Sequence, residues 1–177
     1  MNFSALEKNI IGVISEQQIK LGYRSEFVRL YYPLTSLNQI LQTEDTFMQM
    51  MEHLEEFSQY VKKRLGKVEI TSDGERFCLA IPPRGSDYIH ACAEKNGFLS
   101  EFINSIRRHE CTIEEIVTIF RKYSYKVHAE KLKNAEFDYL LYFENGEPDD
   151  YRYCIASEGG HLTYHRFTKE DYENLFS

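Results

Sequence analysis

Tryptophan is missing from the 177 residues, and cysteine, proline and methionine are scarce, at four each. Without tryptophan, an aromatic core must come from the 12 phenylalanines and 13 tyrosines. Tyrosine buries a ring but keeps a hydroxyl that needs a polar edge, so half-buried sheet faces are the expected setting. The cysteines, Cys78, Cys92, Cys111 and Cys154, are widely spaced with no CxxC pair. That spacing gives no close-pair zinc framework. Free, largely buried thiols of a cytoplasmic protein are the expectation. No early stretch joins a basic start to a continuous apolar run, and "NIIGVI" at 9–14 is too short for a signal peptide. Nothing approaches the apolar length of a membrane helix, so no membrane partner is expected.

Positive charge is also in deficit. Lys and Arg number 21 against 28 Asp and Glu, a formal charge of −7. Such a balance repels phosphate backbones unless a local patch overrides it. The best candidates, "VKKRLGK" at 61–67 and "IRRH" at 106–109, are short and have acids nearby. "HLTYHRF" at 161–167 offers rings for base stacking but no basic groove, so nucleic acid is not an expected partner. The sequence holds no P-loop, no dinucleotide glycine fingerprint, no GxSxG elbow and no HExxH.

What is present reads as helices first and strands last. Leu6, Ile10, Ile14 and Ile19 form a loose helical stripe, with Ser4 as cap candidate and Gly22 as stop. The stretch around Pro33 reads as two short elements, because an uninterrupted helix would not accept that ring. Thr43 or Asp45 is expected to cap a long helix with Phe47, Met51, Leu54, Phe57 and Val61 on one face. A hairpin follows, with Asp73 and Gly74 at its turn and Phe77, Leu79 and Ile81 alternating after it. Ser86 is a cap candidate for the next helix, and Thr112 with Glu115 forms a capping box for a later one. Then "YKVHAEKL", "EFDYLLYFE", "DYRYCIAS" and "HLTYHRF" read as a four-strand antiparallel meander, separated by "KNA", "NGEPD" and "EGG". A short helix capped by Thr168 closes the chain. The expected class is α+β: N-terminal helices with a small hairpin, packed on a C-terminal meander. Residues 1–177 are expected to form one domain, with lobes at 1–122 and 123–177 open as a subdivision.

Period-two patterning places Phe137, Tyr139, Leu141 and Phe143 on one side of their strand and Asp138, Leu140 and Tyr142 on the other. The acids Glu144, Glu147, Asp149 and Asp150 then fall at the solvated tip of a turn. Their spacing does not fit a calcium loop. Titratable groups of the meander are the remaining candidates for chemistry: His128, Glu130, Cys154, His161 and His165. Cys154 with His128 or His161 is the most plausible nucleophile pair across adjacent strands. His161 and His165 stand roughly 13 Å apart on a straight strand, too far to share a zinc ion. His90 and Glu94 at i, i+4 are a weaker pair. No cofactor and no metal ligand set is expected.

The stretches "LGYRSEFVRLYYPLTSLNQIL" and "FDYLLYFENGEPDDYRYCIASEGGHLTYHRFTKEDY" together resemble a family of small uncharacterised bacterial proteins, a domain of unknown function from gut clostridia and relatives. The resemblance spans nearly the whole chain and implies a single α+β domain in a bacterial cell. It implies no activity and no residue roles. The expected function is a non-catalytic protein-interaction or regulatory module with a protein partner. The alternative is a small-molecule-binding protein or small hydrolase, its pocket lined by the five titratable residues of the meander.

Overall fold

The computed structural model describes residues 1–133 and 136–177, so the expected "KNA" turn lies partly, at Asn134 and Ala135, outside the described residues. The chain divides into two units, Met1–Lys95 and Asn96–Ser177. The class is α+β, with two antiparallel sheets and helices in both units.

The first unit begins with α1 (Phe3–Leu21), capped by the Asn2 side chain, which accepts from the Ala5 N–H. The expected cap, Ser4, is already helical, because Asn2 offers an equally good oxygen two residues earlier. Next come β1 (Val28–Pro33) and α2 (Leu34–Leu41). The two short elements around Pro33 are therefore a strand and a helix, with proline closing the strand where no further ladder hydrogen bond is needed. Then α3 (Phe47–Leu65) opens on Thr46, whose hydroxyl and Gln49 complete a capping box. Thr43 and Asp45, the expected caps, are both engaged by Asn38: the Thr43 hydroxyl and the Asp45 N–H donate to Asn38 Oδ1.

The hairpin forms as β2 (Glu69–Ser72) and β3 (Arg76–Ile81). β1 joins on the far side, giving the order β1-β3-β2. Leu6, Ile10 and Ile14 of α1, Leu54, Phe57 and Val61 of α3, and Phe77, Leu79 and Ile81 of β3 are fully buried together. Phe47 stacks on Phe77 at 4.2 Å. Arg64 donates to both carboxylate oxygens of Glu7 at 2.5 and 2.9 Å, tying α3 to α1. Last is α4 (Pro83–Asn96), which starts at Pro83 rather than at Ser86. Proline suits a first helical turn, where its missing N–H costs nothing.

The second unit holds α5 (Phe98–Ile106) and α6 (Ile113–Tyr123). The Thr112–Glu115 capping box is formed as the spacing predicts. The meander follows as β4 (Val127–Lys131), β5 (Tyr139–Phe143), β6 (Arg152–Glu158) and β7 (His161–Phe167), paired in chain order. Finally α7 (Lys169–Phe176) starts on the Thr168 cap. One sheet face packs Phe143 and Tyr153 against Phe98, Phe102 and Phe120, with ring centroids 4.8 to 4.9 Å apart for the nearest pairs. The other face buries Leu140, Cys154 and Ala156 with Phe167 and Tyr172 beside them.

Phe137 joins that second cluster, not the first. The alternation fails there because β5 begins only at Tyr139. Asp138 is anchored instead, its N–H donating to the Ile155 carbonyl and its carboxylate accepting from the Ser157 N–H.

Candidate functional site

The acidic turn resolves into two kinds of carboxylate. Glu144, Glu147 and Asp150 are exposed, as a solvated tip requires. Asp149 is not: its side chain is 9% exposed, against 5% for Arg166. It accepts from the Tyr153 hydroxyl at 2.7 Å, from the Tyr151 N–H at 2.8 Å and from Arg166 at 3.4 Å. The Arg166 guanidinium also lies 4.1 Å from the Tyr151 ring centre. Asp149 turns inward because β6 carries a buried tyrosine hydroxyl that needs an acceptor. Burial, then the Asp149 charge, drives the Tyr153 hydroxyl well above the ordinary tyrosine range, so it stays a donor. The turn is a structural clamp, with every atom of its one buried carboxylate engaged in holding strands.

The five titratable candidates fall on one face of the meander, but they do not converge. His128 Nε2 lies 3.1 Å from Glu130 Oε2, and its ring stacks on Tyr142 at 4.6 Å. Across the sheet, Glu130 pairs with Leu140, Leu140 with Cys154, and Cys154 with His165. Glu130 and Cys154 are therefore two strands apart, about 10 Å. His161 pairs with Glu158, and its ring meets His109 at 4.5 Å. Cys154 and His165 are the one nucleophile–base combination brought face to face. Yet Cys154 is fully buried, and burial pushes its thiol up to about 11, with Glu136 adding to the effect. Nucleophilic cysteines need the opposite displacement. His90 and Glu94 form their i, i+4 contact at 3.3 Å on α4. Among the described residues, no group of three His, Cys, Asp or Glu side chains is placed to hold a metal ion.

A different feature of the same sheet is open. β4 is an edge strand, paired with β5 alone among the described strands. The Leu132 N–H donates to the Asp138 carbonyl and the Glu144 N–H to the Lys126 carbonyl. With the β4–β5 register, those bonds place His128 and Glu130 in the hydrogen-bonded positions of the ladder. The backbone groups of Val127, Ala129 and Lys131 then point outward, because successive residues alternate. Beside this edge a groove of about 380 Å³ runs between α6 and the sheet. Ile113 and Val117 form one wall, Tyr139 and Leu141 the floor, and Glu114, Arg121 and Lys131 the charged rim, while Glu130 borders it with its side chain turned to His128 on the opposite face. The rim then carries one acid and two bases. Among the described residues no histidine or cysteine lines it, and its parts are ordinary residues. A usable signal was "VHAEK", a charged first strand of a meander, which patterning assigns to an edge.

No helix is long and apolar enough to cross a membrane among the described residues. Comparison with known families matches residues 3–176 to the family described as "Domain of unknown function, E. rectale Gene description (DUF3877)". No curated protein and no solved structure matches.

Proposed function

The chain belongs to this family of unknown function, so its role must be argued from its own residues, and we propose that residues 96–177 form a non-catalytic module that binds an extended peptide segment of a protein partner. The observation that carries the reading is the pairing of an open β4 edge with the apolar-walled groove beside it. An added strand takes its main-chain hydrogen bonds from Val127, Ala129 and Lys131, and drops an alternate side chain into the groove. Ile113, Val117 and Leu141 make an apolar side chain the anchor, and Arg121 and Lys131 against Glu114 favour a flanking acid. The buried, protonated Cys154 supports a binding role over covalent catalysis. Four free cysteines support a cytoplasmic setting, and the acidic balance supports a protein rather than a nucleic-acid partner.

Peptides selected from a random displayed library against the full chain test this directly. Selected peptides are expected to carry one apolar anchor and to shift the backbone amide resonances of residues 113–121 and 127–131. Two variants should abolish binding while leaving the circular dichroism spectrum unchanged. Val117→Glu places a charge in the groove. Ala129→Pro removes an N–H that faces the open edge, where a sheet tolerates proline. Peptides that map elsewhere, or that bind both variants undiminished, would overturn the proposal.

A further inference from the structure

The β4 sequence, Val127-His128-Ala129-Glu130-Lys131, is its own complement when two copies run in opposite directions. Centred on Ala129, the antiparallel register sets His128 opposite Glu130 of the second copy, and Glu130 opposite His128. The outward backbone groups of Val127, Ala129 and Lys131 then meet their counterparts, so Ala129 pairs with Ala129 and Val127 with Lys131, each pair exchanging both N–H···O bonds. His128 and Glu130 fall between, at positions where facing Cα atoms stand about 4.5 Å apart and side chains are closest. Their side chains are 33% and 55% exposed. The His128 ring rests on Tyr142 of β5, and its other flank faces the edge. Sliding one copy by two residues sets His128 on His128 or Glu130 on Glu130, like against like. Sliding it by one sets outward groups against groups that β5 already holds.

A second self-complementary pattern lies on the opposite face. α6 packs on β4 and β5 and joins β4 through residues 124–126, so helix and strand run in opposite directions. Ala129 is two residues into β4, about 7 Å. From Tyr123, α6 covers that rise in roughly four to five residues. Thr118 therefore lies level with Ala129, and both line the groove. A twofold axis through the Ala129 pair sets α6 antiparallel to its mate. The helix axes then stand roughly 10–14 Å apart, the width of two to three strand spacings. About that axis Glu114 faces Arg121 of the second copy, and Arg121 faces Glu114, with Val117 and Thr118 between them. Glu114, Thr118 and Arg121 are exposed and Val117 is half-buried, all along the groove.

We propose that β4 pairs with β4 of a second copy of this chain, joining two four-strand meanders into one sheet about a twofold axis at Ala129. Charge complementarity selects this partner: one pattern on each face of the sheet matches only in the same register. The pair is closed, because each copy covers the β4 edge of the other and leaves no like edge on which to grow. The inference rests on the reading of β4 as an edge open to strand addition, and it adds regulation of that site. A second copy holds the edge until a peptide displaces it.

Sedimentation equilibrium of the full chain, from about 1 μM to about 1 mM, tests the pairing. A reversible monomer–dimer equilibrium is expected. Glu114→Arg and Arg121→Glu change exposed side chains and set like charges across the axis. Each should raise the dissociation constant at least about tenfold and leave the circular dichroism spectrum unchanged. An equimolar mixture of the two variants rebuilds both ion pairs and should associate as wild type does. Isotope-filtered NOE spectra of mixed labelled and unlabelled chains read the register, with a contact expected between Hα of His128 and Hα of Glu130 in different copies. A chain that stays monomeric at about 1 mM, a mixture no tighter than either variant alone, or a dimer without that contact would overturn the proposal. Selected peptides separate it from the reading it rests on. Peptides that dissociate the dimer support both. Peptides that bind β4 of a chain that is monomeric throughout overturn the pairing alone. A dimer that shows the His128–Glu130 contact and admits no peptide supports the pairing and overturns the peptide reading.

Discussion

Asp149→Ala should lower the stability of residues 96–177 by about 3 kcal/mol, at the low end of what removing one partner of a buried ion pair costs. The carboxylate is 9% exposed and serves the Tyr153 hydroxyl, the Tyr151 N–H and Arg166 at once. Its loss leaves a fully buried hydroxyl without this acceptor and a guanidinium without this counter-charge. The stacking of Arg166 on Tyr151 at 4.1 Å remains, which keeps the loss from the top of the range. Asp149→Asn keeps an oxygen for Tyr153 but not the charge, so it should fall between wild type and alanine. Asp150→Ala changes an exposed side chain and should stay within about 0.5 kcal/mol of wild type. Urea unfolding followed by circular dichroism reads all three. Equal midpoints for the two alanine variants would show that Asp149 clamps nothing.

Gly85→Ala should be at least as damaging to residues 1–95, although it adds a single methyl group in a helix. A Cβ there would lie 2.5 Å from the Leu65 carbonyl oxygen and 2.6 Å from Ile81 Cγ2. Neither neighbour can swing away. The first is backbone in the final turn of α3, and the second belongs to a fully buried core residue. Ordinary helix propensity predicts a gain of up to about 1 kcal/mol for this change, so steric overlap is the deciding effect. Overpacking of this kind costs about 3 kcal/mol, which corresponds to a melting temperature lower by roughly 10 °C or more. Gly74→Ala is the informative comparison. Its Cβ would meet nothing within 4 Å, but its φ is +91°, so its cost is backbone strain of about 1 kcal/mol. A Gly85→Ala variant that melts with wild type would mean that α3 and α4 can separate freely.

Local chemistry was readable wherever it stayed local. Thr112 and Glu115 lie three residues apart and serve each other, so the spacing alone defined the start of α6. The strand β7 alternates between exposed and half-buried residues after the Gly159–Gly160 turn, and its faces followed, whereas β6 is buried on both sides from Tyr153 to Ala156. Reading failed where a distant residue claimed the same atom. Thr43 and Asp45 are sound caps in isolation, but the Thr43 hydroxyl donates to Asn38 and the Asp45 carboxylate meets His53 Nδ1 at 2.6 Å, and Thr46 takes the role. Ser86 looks like a helix start, yet it is buried under Gln18, a partner 68 positions away. Asp149 looks like a surface acid until Arg166 and Tyr153 are folded against it. β1 shows the half-buried alternation of Val28, Leu30 and Tyr32, but its partner β3 lies beyond two helices. The groove beside β4 was invisible for the same reason, since it is assembled from unremarkable residues by register and packing.

The two sheets also differ in how far the chain must travel to close them. In the meander, each strand's neighbour is the next strand along the chain. It can therefore assemble by zipping, hairpin onto hairpin, with little loop entropy to overcome at any step. In the three-strand sheet, β2 and β3 meet across a short turn, but β1 pairs Leu30 with Leu79 and must wait for α2 and α3 to bring them together. Pulse-labelled hydrogen exchange during refolding should therefore protect the amides of β5 and β6 early and those of β1 late. Simultaneous protection of all three would show that chain separation does not set the order.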